Sequence, residues 1–224
     1  MQKNAVVMLS GGMDSTTILA YAKDQGFTCY CISFNYGQRH TSELDAAQSI
    51  AKKYDVAEHF IFNLGINEFG GSAQTDLNIP IPTTPTGTAI PSTYTPARNI
   101  TFLSVALGYA EVRNANDIFF GASSIDYSNY PDCRPEFVAA FERTANLATK
   151  AGVESGLIRI HTPLINLSKA DTIKLGLRLG VDYSETITCY QATKEGLACK
   201  QCHACQLRIK GFNEAGIIDN TRYI

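Results

Sequence analysis

The sequence predicts an α/β fold: a five-stranded parallel sheet covered by helices on both faces, with a short cysteine-bearing segment appended near its C-terminal end. Three observations predict it. Short β-branched apolar runs alternate five times with stretches of helical periodicity, as in sheets built through helical crossovers. The first such run, Ala5-Val6-Val7-Met8-Leu9, enters a helical stretch through Ser10-Gly11-Gly12-Met13-Asp14-Ser15. Four of the seven cysteines, Cys189, Cys199, Cys202 and Cys205, crowd together after all five alternations.

Composition sets the bounds. A chain of 224 residues with 45% hydrophobic content can bury one sizeable core. We divide it into an α/β domain over 1–184 and a four-cysteine segment over 185–224. The net charge of −2 is spread without long runs, which argues against the basic face of a generic nucleic-acid binder. The first apolar run is short and leads into the glycine loop, unlike a secretory signal. No stretch approaches the roughly 20 apolar residues of a membrane span. A cytoplasmic protein is expected, and there a cysteine cluster reads as metal-binding or catalytic rather than disulfide-bonded.

The strand–loop–helix junction is the first candidate site. The opening N–H groups of a helix lack intrahelical partners and point outward with the positive end of its dipole, forming an anion seat. Gly11 and Gly12 permit the turn and a close approach of phosphate. Ser10, Ser15 and Thr16 add hydroxyl donors, and Asp14 can hold a Mg²⁺ against phosphates. The loop lacks the Gly-Lys-Ser/Thr ending of a Walker A motif and the spacing of a dinucleotide fingerprint.

The remaining elements follow in order. A helix over 14–25 ends at Gly26, and 27–34 reads as the second strand, with Cys29 and Cys31 on one face as small buried side chains. Tyr36-Gly37-Gln38-Arg39-His40 then lies on the carboxyl rim of the sheet, where ligands bind. A helix over 41–54 and a strand over 59–63 come next. Residues 64–97 hold five of the eight prolines and read as an irregular loop closing over the site. The stretch 98–112 is helical and apolar nearly all round, which implies packing against the sheet and a second subunit. Arg98 at its start opposes the helix dipole; a bound anion or a surface salt bridge would explain it.

After a fourth strand over 117–121, residues 122–135 form a polar, aromatic loop on the same rim. Tyr127 and Tyr130 can stack on a planar base, while Asp126, Asp132 and Arg134 can read its edges. Asp132 and Pro135 also suit a helix start. A helix over 135–149 and a strand over 157–161 precede Ser168-Lys169-Ala170-Asp171, which approximates a capping box for a helix ending near Gly180. Lys169 is a second cation at the wrong dipole end, with a bound phosphate or solvent as its partner.

Cys189-x9-Cys199-x2-Cys202-x2-Cys205 supplies four thiolates suited to a closed tetrahedral Zn²⁺ site. Cys199-x2-Cys202-His203 also spells a haem-attachment motif, which leaves two cysteines unused. An iron–sulfur cluster and a catalytic thiol pair are further readings of the same spacing. Structural zinc accounts for all four residues and would fix a tail with little core of its own.

Several blocks together carry a resemblance. Ser-Gly-Gly-x-Asp-Ser at 10–15 resembles the pyrophosphate loop of the N-type ATP pyrophosphatases, whose fold is the Rossmann-like adenine nucleotide alpha hydrolase type. That loop, Tyr36 through His40, Pro96-Ala97-Arg98-Asn99, Tyr130-Pro131-Asp132-Cys133-Arg134, Leu167-Ser168-Lys169 and the four cysteines resemble the 7-cyano-7-deazaguanine synthase family of queuosine biosynthesis, a pathway to a modified tRNA base. Asn129 stands where a glycine is expected. The resemblance implies ATP-dependent conversion of 7-carboxy-7-deazaguanine and ammonia to the nitrile, with Mg²⁺ and structural zinc. It implies that Leu9 through Thr16, with Ser33 and Tyr36, hold ATP. It implies catalytic roles for Asp14, Arg98 and Lys169, and a deazapurine held by Arg98, Asn99, Asp126, Tyr130, Asp132 and Arg134. No glutaminase domain fits, so ammonia enters unlinked, and no direct nucleic-acid contact is expected. A tRNA thiolase of the same superfamily and a zinc-knuckle RNA-binding module are the alternatives.

Overall fold

The structure, a computed structural model, describes residues 3–83, 89–123 and 130–224. Five strands pair in parallel in the order β3-β2-β1-β4-β5: β1 (Lys3–Met8), β2 (Phe27–Asn35), β3 (Glu58–Asn63), β4 (Asp117–Phe119) and β5 (Arg159–His161). The centre of β1 is fully buried because it is covered on both sides, as parallel sheets require. Val6 and Met8 face one core with Ile32 and Phe34, closed by α3 (Arg98–Val112) and α4 (Pro135–Ala148). Ala5, Val7 and Leu9 face the other, closed by α1 (Met13–Asp24) and α2 (Ser42–Lys53). Chain order reverses between β1 and β4, which opens a crevice beyond their carboxyl ends.

The expected alternation is present, with instructive differences. The helix expected over 135–149 ends at Ala148, because Thr149 is extended (φ −120°, ψ 155°) and its hydroxyl accepts from Gly152 N to start a separate helix, α5 (Lys150–Ser155). Cys29 and Cys31 are buried in the core, and burial pushes the Cys29 thiol up to about 11. Apart from a short 3-10 turn at Ile66–Phe69, the described parts of 64–97 are irregular yet fastened. Arg39 donates to the carbonyls of Ala73 (2.6 Å) and Asp76 (2.7 Å), and Thr95 Oγ1 donates to Ser72 Oγ at 2.9 Å.

The C-terminal segment has more core than its spacing suggests. After α6 (Lys169–Arg178), the helix α7 (His203–Ala215) packs along it, burying Ala204, Cys205, Arg208, Gly211 and Phe212. Arg208 is buried and acts as a clamp. Its guanidinium donates to Tyr183 O (2.7 Å), Thr186 Oγ1 (2.8 Å) and the Asp219 carboxylate (3.2 Å). Burial by itself would raise the Asp219 carboxyl. The Arg208 charge and the Tyr223 and Thr221 hydroxyls outweigh it and hold the carboxyl below its ordinary value.

Replacing Arg208 with Met leaves Asp219 without its counter-ion, so urea unfolding should show a loss of about 3–5 kcal/mol. The stabilisation belongs to ionised Asp219. It is therefore present above about pH 4 and lost as pH falls through the lower folded value, so the variant's unfolding midpoint should vary less with acid than the wild type's.

Candidate active site

The turn from β1 into α1 is built around one glycine. Gly11 has φ +82°, and a Cβ there would lie 2.1 Å from Glu43 O and 2.8 Å from Ala47 N. The start of α2 therefore rests directly on the turn. From the other side Ile187 N donates to Gly11 O at 2.9 Å, and Thr188 Oγ1 lies 3.5 Å from Met13 N. Gly12, by contrast, has an ordinary φ of −83° and serves as the N-cap. Its missing side chain matters for approach to the loop rather than for the backbone.

This turn forms one end of a cavity of about 240 Å³ at the crevice beyond β1, β2 and β4. Leu9, Ser10, Gly12, Met13, Asp14 and Ser15 line that end. Ser10 Oγ and Ser15 Oγ sit 3.1 Å apart, and Ser15 Oγ donates to Gly12 O at 3.1 Å. Tyr36, Arg98, Asn99 and Tyr130 line the same cavity, and Phe34, Phe102 and Phe120 contribute apolar surface.

Other expected site residues lie elsewhere. Thr16 is buried with its hydroxyl donating to Gly12 O at 2.8 Å, so it is not offered to the cavity. Ser33 is buried too; its hydroxyl donates to Leu9 O and meets His59 Nε2 at 2.7 Å. Asp132 is buried behind the cavity and caps α3, accepting from Asn99 N at 3.4 Å. Arg134 is exposed at the N-cap of α4. Asp126 and Tyr127 lie outside the described residues.

The two misplaced cations differ from expectation in opposite ways. Arg98 forms no surface salt bridge among the described residues: its guanidinium donates to Gln74 Oε1 (3.0 Å) and Asn99 Oδ1 (3.2 Å) and lies 5.9 Å from the ring centres of Tyr36 and Phe102. Lys169 faces no solvent. It is 4% exposed, and its ammonium donates to both oxygens of Asp14 at 2.9 Å. Gly211 of α7 makes room for its stem, since a Cβ there would lie 2.5 Å from Lys169 Cγ. Ser168 Oγ accepts from Asp171 N at 3.1 Å and donates to Asp171 Oδ2 at 2.6 Å, the expected cap.

Sequence reasoning missed Glu43, Gln74, Thr188 and Tyr190 as cavity residues. Gln38 Nε2 donates to Glu43 Oε1 at 2.9 Å, and Tyr36 OH donates to Gln74 Oε1 at 3.0 Å. Burial pushes the Glu43 carboxyl up to about 7, against lowering by the Gln38 hydrogen bond and the Arg98 charge. Cys133 also lines the cavity. Burial first, then Asp132, pushes its thiol up to about 12, so it is a protonated neighbour rather than a nucleophile.

The four cysteines meet. Their sulfurs lie within 4.8 Å of one another, with Cys199–Cys205 at 4.0 Å and Cys202–Cys189 at 3.9 Å. Thiolates about 2.3 Å from a tetrahedral ion stand just under 4 Å apart, so the set fits a metal ion. Amides of Gln191 and Cys199 point at Cys189 Sγ (3.2 and 3.3 Å), and that of Cys202 at Cys199 Sγ (3.3 Å). Cys189 also borders the cavity, and its carbonyl meets His40 Nε2 at 2.7 Å.

A parallel sheet in this strand order, with a Ser-Gly-Gly turn at its crevice, defines a Rossmann-like α/β class with an open turn at the carboxyl rim of the sheet. Two solved structures share the fold: an NMN synthetase from Francisella tularensis (TM-score 0.51, 16% identity, covering 97% of this chain and 79% of that one), and a 4-thiouridine synthetase in an RNA complex with bound ATP (TM-score 0.52, 15% identity, 99% and 47%). Within that class, residues 4–216 match the family described as queuosine biosynthesis protein QueC, and the chain belongs to it. The 7-cyano-7-deazaguanine synthase of Stutzerimonas stutzeri (strain A1501) is 58% identical over 222 residues, 99% of both chains.

Gly11→Ala combines an unfavourable positive φ with a clash against α2, and should lose about 2–5 kcal/mol of stability. Gly12→Ala meets nothing closer than Ser10 Oγ at 3.4 Å. Its loss should stay within about 1 kcal/mol, the usual range for an N-cap change. Paired urea titrations read both.

Proposed function

We propose that this chain converts 7-carboxy-7-deazaguanine and free ammonia, with two molecules of ATP, into 7-cyano-7-deazaguanine for queuosine synthesis. The observation that carries the reading is the likeness over the whole length to a protein of that name, supported by a cavity lined both by the Ser-Gly-Gly turn and by polar and aromatic side chains.

The chemistry follows from the acid. A carboxylate is a poor electrophile, so its oxygen attacks the α-phosphorus of ATP, pyrophosphate leaves, and ammonia displaces AMP to give an amide. The amide oxygen attacks a second ATP in the same way, and loss of AMP with two protons leaves the nitrile. The N-terminal amides of α1 with Ser10 and Ser15 receive the phosphates. Lys169, held on Asp14, and Arg98 place positive charge where phosphate charge develops. The apolar wall of Phe34 and Phe102 keeps water from the adenylate, while Tyr130 and Asn99 orient the deazapurine. Asp14, whose carboxylate faces the cavity, would hold Mg²⁺ with the phosphates, and that ion would neutralise charge on the leaving pyrophosphate. In this reading the four cysteines hold structural zinc, which fits their sulfur spacing.

The protein works in the cytoplasm as a homodimer. No helix among the described residues is long and apolar enough to cross a membrane. Ile100, Ser104, Gly108 and Val112 follow one another at four-residue spacing on an exposed face of α3, with Ile100 at 46% and Val112 at 70% exposure. Small and apolar residues in such a stripe suit a second copy of the chain.

Asp14→Asn should lower nitrile formation from the carboxylate, ATP, Mg²⁺ and ammonia by at least about a hundredfold, followed by mass spectrometry. Wild-type protein that consumes no ATP with this acid sinks the reading. Elemental analysis should give one zinc per chain, with Cys202→Ser losing it; iron in its place overturns the zinc assignment.

A further inference from the structure

A nitrile requires that both N–H protons of the amide leave, and nothing assigned so far accepts them. Asp14 is paired with Lys169, Asp132 is buried behind the cavity, and the Tyr36 and Cys133 protons are held tightly, both groups being pushed up to about 12. Glu43 differs. It stands in the first turn of α2, its backbone carbonyl faces Gly11 of the phosphate turn, and its side chain lines the same cavity as Arg98 and Tyr36. Gln38 Nε2 fixes one carboxylate oxygen at 2.9 Å. The charged or titratable groups lining this cavity with Glu43 are Arg98 from α3, Asp14 from α1, Tyr36, Arg39 and His40 from the stretch after β2, Tyr130 and Cys133 from the stretch before α4, and Cys189 and Tyr190 from the C-terminal segment. His40 is occupied by Ser42 Oγ at 3.0 Å and by the Cys189 carbonyl.

We infer that Glu43 is the proton acceptor of the nitrogen-handling steps, taking N–H protons from the substrate nitrogen in the cavity it shares with Arg98 and the phosphate turn. The inference rests on the function proposed above. Once the amide oxygen is bonded to the α-phosphorus and pyrophosphate has left, the Glu43 carboxylate takes a proton from nitrogen. That N–H electron pair stays on nitrogen and the proton passes to water; Glu43 then takes the second proton, whose N–H electron pair becomes the new C–N π bond as the C–O pair leaves with AMP. A carboxyl poised near neutrality can receive a proton and return it to water in each cycle. Gln38, through its hydrogen bond, is a positioning residue.

Two half-reactions separate this role from binding. Carboxylate-dependent exchange of labelled pyrophosphate into ATP reads adenylation before any nitrogen enters. Single-turnover conversion of the supplied 7-deazaguanine amide to nitrile reads proton removal without titrating ammonia. With Glu43→Gln, exchange should stay within about fivefold of wild type while amide conversion falls at least about a hundredfold. The wild-type rate of amide conversion should rise with pH through about 7, following ionisation of Glu43. That limb should vanish in Glu43→Gln and persist, at a lower rate, in Glu43→Asp. Equal loss of exchange and conversion in both variants, retained conversion in Glu43→Gln, or an unchanged pH limb overturns the assignment. Wild-type protein with no carboxylate-dependent exchange instead overturns the proposed function itself, and this assignment with it.

Discussion

The contact on which the rest of the site depends is the seating of α2 against the backbone of Gly11. Glu43 O and Ala47 N occupy the space a side chain would need, so the turn is held by main-chain surface that no rotamer change can relax. The opposite side is closed by Ile187, which spends its N–H on the Gly11 carbonyl. An anion seat of backbone amides works only if those amides are already aimed, since reorganising them at the moment of reaction would cost what the seat is meant to supply. Here the aiming is done by one helix and one extended segment that meet across the turn.

That second support ties the α/β sheet to the C-terminal segment. Thr186 and Thr188 take their places from Arg208, whose guanidinium reaches both hydroxyls as well as Asp219. A buried ion pair is a weak source of net stability, since desolvation opposes it. What it supplies here is a unique position for the extended segment, because a planar fork with this many acceptors tolerates little displacement. A single turn, Tyr183–Glu185, runs across 184/185, and the cavity draws on residues from both sides of that point.

Strand order aside, the sheet was legible because short apolar runs such as Ala5–Leu9, Phe60–Phe62 and Ile118–Phe120 alternate with stretches long enough for crossover helices. α7 was not, because two of its core positions are Arg208 and Gly211, residues that no hydrophobicity pattern scores as buried. The glycine turn and the cysteine set were legible from local spacing alone. Glu43 and Gln74 were not. A glutamate in the first turn of α2 reads as a dipole partner, and only the tertiary placement of that turn above Gly11 puts its carboxyl in the cavity. Lys169 was noticed for the wrong end of a dipole. Its actual partner, Asp14, lies 155 positions away, a pairing that local patterns cannot encode.

Cys189 belongs at once to the sulfur cluster and to the wall of the cavity, and its carbonyl is bound to His40 on the rim loop. Removing a sulfur ligand from that knuckle would act on one wall of the cavity as well. An ion held by the four cysteines would therefore brace the cavity wall as well as the segment that carries it, so that metal supply and the shape of the cavity would be linked.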